Sequence, residues 1–232
     1  MKRNTILSVT AAMAFWGTTA LAQTSETIYN FNVNQAIPVD NPLGLTLQTN
    51  LTVNVASAAQ IQSVTVSLNV TNGFNGDLYA YLDGPNGGYA VLLNRVGVSN
   101  NATQFGYSDA GLNVTFSDAA ANSIQYYQSA GYSINSGGQL TGTWQPEGVN
   151  IPPNSPPADF FGASQTALLD SFEGTNPNGD WTLFLADLSA GSPSTVVSWG
   201  LDIVTVPEPS TLALMALGVM GVALIARRQR QA

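Results

Sequence analysis

Residues 61–70 read Ile61-Gln62-Ser63-Val64-Thr65-Val66-Ser67-Leu68-Asn69-Val70. Val64, Val66, Leu68 and Val70 alternate with Ser63, Thr65, Ser67 and Asn69. A period of two puts one set on a core face and the other in water, as in a half-buried strand. Residues 45–55 repeat the pattern, with Leu45, Leu47, Leu51, Val53 and Val55 set against Thr46, Gln48, Asn50, Thr52 and Asn54. Shorter matches follow at 78–82, 89–93, 112–116, 181–187 and 197–204. Asn72-Gly73, Asn75-Gly76 and the run 83–88 (Asp-Gly-Pro-Asn-Gly-Gly) supply turns between them. Many short strands joined this way predict an all-β fold, an antiparallel β-sandwich of jelly-roll, galactose-binding-like type. The body, 23–205, is long enough to bury a substantial core.

Two stretches depart from the pattern. Residues 131–162 are rich in Gly, Ser, Asn and Pro, including Pro152-Pro153 and Pro156-Pro157. They predict one long loop, of a length often tied to function. Residues 118–127 predict one or two helical turns, capped by Ser117 or Asp118.

The chain has 232 residues, six basic and fourteen acidic, with no His and no Cys. Those two zeros exclude a Ser–His–Asp triad, a thiolate nucleophile, disulfides and Cys-ligated metals. Thirteen acids between Glu26 and Asp202 face the single Arg95, a net charge of −12. Such a body repels nucleic acid and anionic lipid, so no nucleic-acid partner is expected. The low overall charge with abundant Gly, Asn, Ser and Thr reads as an extracellular β protein.

Both ends read as addresses. Lys2-Arg3, an apolar stretch from Ile6 to Leu21 and Ala20-Leu21-Ala22 form a secretory signal over 1–22, a signal helix cut by signal peptidase between Ala22 and Gln23. At the other end, Val206-Pro207-Glu208-Pro209-Ser210 precedes sixteen uncharged residues, 211–226, and then Arg227, Arg228 and Arg230. The apolar run predicts a short transmembrane helix, and the arginines predict a cytoplasmic end. The order of Pro207-Glu208-Pro209, apolar helix and Arg cluster resembles the PEP-CTERM sorting signal of Gram-negative bacteria, over 206–232. That resemblance implies processing by an exosortase, a transient inner-membrane anchor, and delivery to the cell surface or extracellular matrix.

In the body, Gly76-Asp77-Leu78-Tyr79-Ala80-Tyr81-Leu82-Asp83-Gly84-Pro85-Asn86-Gly87 resembles the "GDL…L…P.G" hairpin of the proprotein convertase P domain (P/Homo B). Asn178-Gly179-Asp180-Trp181-Thr182-Leu183 with Asp187 is similar to its "G.W.L.V.D" strand, and Ser198-Trp199-Gly200-Leu201-Asp202-Ile203 to its closing strand. The resemblance spans roughly 37–204 and implies a jelly-roll sandwich that does no chemistry itself. In that family the domain follows a serine protease domain, which is not expected here. Asn72 stands where the family often has a His.

Trp181 and Trp199 share strand faces with Leu183, Leu185, Leu201 and Ile203, which predicts core burial. Trp144, in the expected loop, is the candidate for a sugar-stacking aromatic. Asp77, Asp83, Asp180 and Asp187 lie at strand ends beside turns. They read either as turn caps or as a structural Ca²⁺ site, which needs about 6–8 oxygens. No other cofactor is expected. Carboxylate-based hydrolysis would require a pair such as Glu147 with Glu173 or Asp159, and their spacing does not support it. The leading expectation is therefore a non-enzymatic, exported sandwich serving adhesion or matrix structure. The alternatives are a carbohydrate-binding module for exopolysaccharide and, behind it, a hydrolase.

Overall fold

The computed structural model describes residues 24–53, 59–98, 104–207, 217–218, 221 and 227–229. Ala22, Gln23, Glu208, Pro209 and all of 211–226 except Leu217, Gly218 and Gly221 lie outside them, so the signal cleavage site, most of the sorting motif and the expected transmembrane helix do too. Among the described residues no helix is long and apolar enough to cross a membrane.

Among the described residues ten strands form two sheets: β1 (Ser25–Ala36), β2 (Leu45–Leu51), β3 (Ala59–Thr71), β4 (Leu78–Asp83), β5 (Tyr89–Asn94), β6 (Gly111–Phe116), β7 (Ser133–Ile134), β8 (Leu140–Trp144), β9 (Gly179–Asp187) and β10 (Thr195–Pro207). The larger sheet runs β1-β10-β3-β6-β8-β7 and the smaller β2-β9-β4-β5. Pairing is antiparallel except between β6 and β8, which run parallel. The inward residues of both sheets merge into one buried cluster, so the molecule is a sandwich. Val64, Val66, Leu68 and Val70 of β3 face Leu78, Ala80 and Leu82 of β4 and Trp181, Leu183 and Leu185 of β9 across it, all buried. Alternation alone assigned these residues to the inside, because the pleat leaves no other face for them.

The 83–88 turn shows how local sequence serves the core. Phe172 packs on Trp181 with ring centroids 5.0 Å apart. A Cβ added at Gly84 would stand 2.7 Å from Phe172 Cε1, and one at Gly88 would also collide with that ring. The glycines let the backbone lie flat against the aromatic pair.

Three expectations need correcting. Residues 131–162 are not one loop: they contain β7, β8 and a single helical turn, α1 (Pro157–Phe160). β8 carries Gly142 at φ +112° and only a five-residue pattern, too short to read as a strand before β6 offers its edge. The helical turn near 118–127 is 3₁₀, runs Ile124–Ser129, and is capped by Ser123, whose Oγ accepts from the Gln125 N–H. Asp118 instead accepts hydrogen bonds from the Leu169 and Asp170 amides, pinning a distant segment. β1 is the third: Tyr29, Phe31 and Val33 alternate with Asn30, Asn32 and Asn34 along an unanticipated edge strand.

Candidate functional site

The same alternation that buries Leu78, Ala80 and Leu82 turns Tyr79 and Tyr81 to the outside of the smaller sheet. In β9, burial of Trp181, Leu183 and Leu185 turns Phe184 outward, and the register sets it directly opposite Tyr81. Their rings stack at 4.8 Å, 18° from parallel. Tyr89, at the start of β5, lies 5.2 Å from Tyr81, and Tyr79 lies 5.9 Å from Tyr81 and 6.2 Å from Phe184. The Tyr79 and Tyr89 hydroxyls are 3.1 Å apart, tying the two ends together. Burial and neighbouring phenols raise the Tyr81 and Tyr89 hydroxyls above the usual phenol range, Tyr89 the more strongly, so both stay neutral donors. Four half-buried aromatics in one contiguous patch are uncommon on a solvated sheet face, where single apolar residues are the norm.

Loops turn the patch into a cleft. Asp40, Asn41 and Pro42 form one wall and Pro153 and Asn154 another, around a volume of about 650 Å³ floored by Tyr79, Tyr81 and Phe184. Arg95, also lining it, follows β5 in a left-handed conformation, φ +55°. Its guanidinium donates to Pro153 O (3.3 Å) and Gln104 O (2.9 Å), while its Nε–H is buried without a partner. The segment 147–167 covers the outer edge of β5: Glu147 N–H donates to Leu92 O, Gly148 N–H to Val91 O, and Val91 N–H to Ala167 O. An edge that would otherwise invite another strand is thereby closed.

Trp144 is not part of this surface. It ends β8, is 5% exposed, meets Tyr127 edge-on at 6.1 Å and donates its indole N–H to Thr141 O. The parallel pairing with β6 swings its ring into the core, so it cannot stack on a sugar. Trp181 and Trp199 are buried, as their strand faces predicted.

The four aspartates separate into two pairs. Asp77 and Asp187 meet at one end of the β4–β9 ladder, where Leu78 pairs with Asp187. Asp83 and Asp180 lie at the other end, where Asp83 pairs with Thr182. They therefore do not share one ion site, and among the described residues no three carboxylates cluster to hold a metal. Asp187 accepts from the Ser194 hydroxyl (3.0 Å) and Asp180 from the Asn50 amide (2.6 Å) of its β2 cross-strand neighbour. Burial raises both Asp77 and Asp187 above the ordinary carboxylate range, opposed by hydrogen bonds from nearby serines.

Glu147 is buried, and desolvation raises it to about 8. Glu173 and Asp159 are exposed, and neither lines the cavity beside Glu147. The aromatic cleft is the feature that pattern reading missed, although its signal was present. Leu-Tyr-Ala-Tyr-Leu carries a second, aromatic set at period two, and Trp-Thr-Leu-Phe-Leu places one Phe in its outward row.

Residues 205–230 match the PEP-CTERM protein-sorting motif. No curated protein matches the chain. Two solved structures are similar over 81% of it: the Aeromonas sobria serine protease in complex with its chaperone (16% identity, TM-score 0.43) and the serine protease of Aeromonas sobria (14%, TM-score 0.42). This chain spans 28% of each of those chains.

Proposed function

We propose that this is an exported, exosortase-processed protein whose sandwich binds polysaccharide at the cell surface or in the extracellular matrix, without catalysis. In this reading residues 1–22 are the signal peptide, 23–205 a P-domain-like jelly roll, and 206–232 the sorting signal. The sorting motif over 205–230 supports export and exosortase processing. The aromatic cleft carries the binding half. Tyr and Phe rings offer apolar faces to the C–H face of a sugar, and the Tyr hydroxyls, Asn41, Asn154 and Arg95 offer hydrogen bonds at the edge. This observation favours a glycan-binding module over a purely structural matrix protein. Adhesion follows if the glycan belongs to a neighbouring cell or matrix.

Two experiments test the reading. Mass spectrometry of surface material from an exosortase-bearing strain should recover a protein lacking 1–22 and most of 211–232. Abundant peptides spanning 206–226 would contradict processing. Affinity electrophoresis in the strain's own exopolysaccharide should retard the protein, and Tyr81→Ala with Phe184→Ala should release it. Equal mobility of the folded variant and the parent would remove the aromatic cleft from the account.

A further inference from the structure

A second cavity, about 250 Å³, opens between the 3₁₀ turn and the segment covering β5, lined among others by Ser123, Gln125, Tyr126, Glu147, Phe160 and Gln165. It shares no lining residue with the aromatic cleft. Its polar groups are unbalanced. Gln125, 3% exposed, donates its amide to Val98 O (3.0 Å), which leaves Oε1 buried without a partner. Gln165 donates its amide to Pro146 O (3.2 Å) and Glu147 O (2.9 Å). Ser123 Oγ accepts from the Gln125 N–H. Glu147, 2% exposed, has Oε2 buried without a partner. Gln165 and one N–H of Gln125 are committed to backbone carbonyls, while Gln125 Oε1 and Glu147 Oε2 are left over. A buried acceptor left unpaired is unfavourable, and more so when it is charged.

We infer that this cavity is a second ligand site and that it takes a primary ammonium group, either a free amine or the amine of an amino sugar. An ammonium brings three N–H donors and no acceptor, the complement of what Gln125 and Glu147 lack. Its bonds to a carboxylate are charge-assisted and short. Tyr126, at the rim, and Phe160 add aromatic faces that attract a cation. The surplus of acids over Arg95 concentrates cations around the body. A metal ion fits poorly, because Glu147 is the one carboxylate lining the cavity and calcium needs about 6–8 oxygens.

The proton balance follows. With the site empty, Glu147 is a neutral acid at neutral pH, since burial alone raises it to about 8. Tyr126 is the titratable neighbour that feels its charge, and the Tyr126 phenol is itself raised. Binding therefore converts Glu–COOH plus R–NH₃⁺ into Glu–COO⁻···⁺H₃N–R plus a released H⁺.

The test is calorimetric titration of the exported protein at about pH 6.5, below the Glu147 value, in two buffers of different ionisation heat. The titrants are D-glucosamine, n-propylamine and D-glucose. The expected result is saturable binding of at least one amine with close to one proton released, weakened about tenfold or more by Glu147→Gln. Gln125→Leu should weaken it as well. A glucosamine preference assigns an amino sugar, and equal affinities assign a bare amine. The proposal is overturned by no saturable amine binding, by binding without proton release, or by unchanged affinity in a folded Glu147→Gln. Glucose binding that Glu147→Gln weakens as much as glucosamine binding would overturn it too.

Discussion

The two outer faces of the sandwich are built by one rule and end in opposite chemistry. On the larger sheet the outward residues include Thr65, Ser67 and Asn69 of β3, Asn113 and Thr115 of β6, and Ser198 and Asp202 of β10, with Ile28 of β1 an exposed apolar exception. On the smaller sheet they include Tyr79, Tyr81, Tyr89 and Phe184. Both faces alternate with buried apolar rows, so folding needs neither outer composition in particular. The polar face is what a solvated sheet requires. The aromatic face exceeds that requirement and is walled by loops from both sides. The difference separates residues that make the sandwich from residues available for binding.

The inner layer shared by both faces sets the largest effect. Trp181→Ala should destabilise by about 3–5 kcal/mol, read from urea midpoints, because Trp181 is fully buried against Phe172. A loss below about 1 kcal/mol would break the division into inner and outer layers.

Next comes the segment that covers the smaller sheet's edge. The folded value of Glu147 is raised from 4.5 to about 8, so the native state holds its proton more tightly than the unfolded chain. Stability from the neutral acid is complete below 4.5 and is lost as pH rises toward 8. By pH 7 that loss is about 3 kcal/mol. Glu147→Gln should therefore stabilise the protein at neutral pH by an amount of that order and flatten chemical denaturation between about pH 5 and 8. An undiminished slope in the variant would place the titration elsewhere, with Asp77, Asp118 and Asp187 the next groups raised by burial.

The outer faces themselves should differ modestly in stability and sharply in binding. Phe184→Ala should cost about 1–2 kcal/mol, since its ring is half-buried among Tyr79 and Tyr81. Thr115→Ala on the polar face should stay within about 0.5 kcal/mol. In affinity gels only the first should lose polysaccharide. Equal loss from both would erase the distinction between the faces.

The smallest effect concerns calcium. Because the four aspartates divide between two ends of the β4–β9 ladder, millimolar CaCl₂ should raise Tm no more than NaCl of matched ionic strength. A saturating, EDTA-reversible rise weakened by Asp187→Asn would instead assign an ion to the Asp77–Asp187 end.

Much of the sandwich could be read without coordinates. Seven strands were visible as alternation, and in β3, β4 and β6 the buried rows were those the period predicted, whereas β5 is buried on both faces. The interior of a pleated sheet admits one face of each strand, so a local pattern suffices. β1 carried the same signal in Tyr29, Phe31 and Val33 beside an Asn-rich row. Trp144 resisted such reading, because a Gly- and Thr-rich five-residue stretch becomes a strand only when β6 presents its edge. The aspartates resisted it for a related reason. Beside turns, Asp77 and Asp180 look equivalent, and only the antiparallel register separates them.

The chain by itself determined the sorting motif over 205–230, the two-layer β architecture and the inward or outward choice in the regularly alternating strands β3, β4 and β6. Those are properties of contiguous residues, set by hydropathy, turn chemistry and the two-residue pleat. Tertiary structure alone decided that Phe184 lies over Tyr81, that Pro42 and Pro153 wall the same cleft, and that Glu147 and Gln125 line one cavity, each with a buried oxygen left without a partner. Those juxtapositions join residues distant in sequence through strand register and loop closure, and no local periodicity encodes which distant partner a side chain will meet.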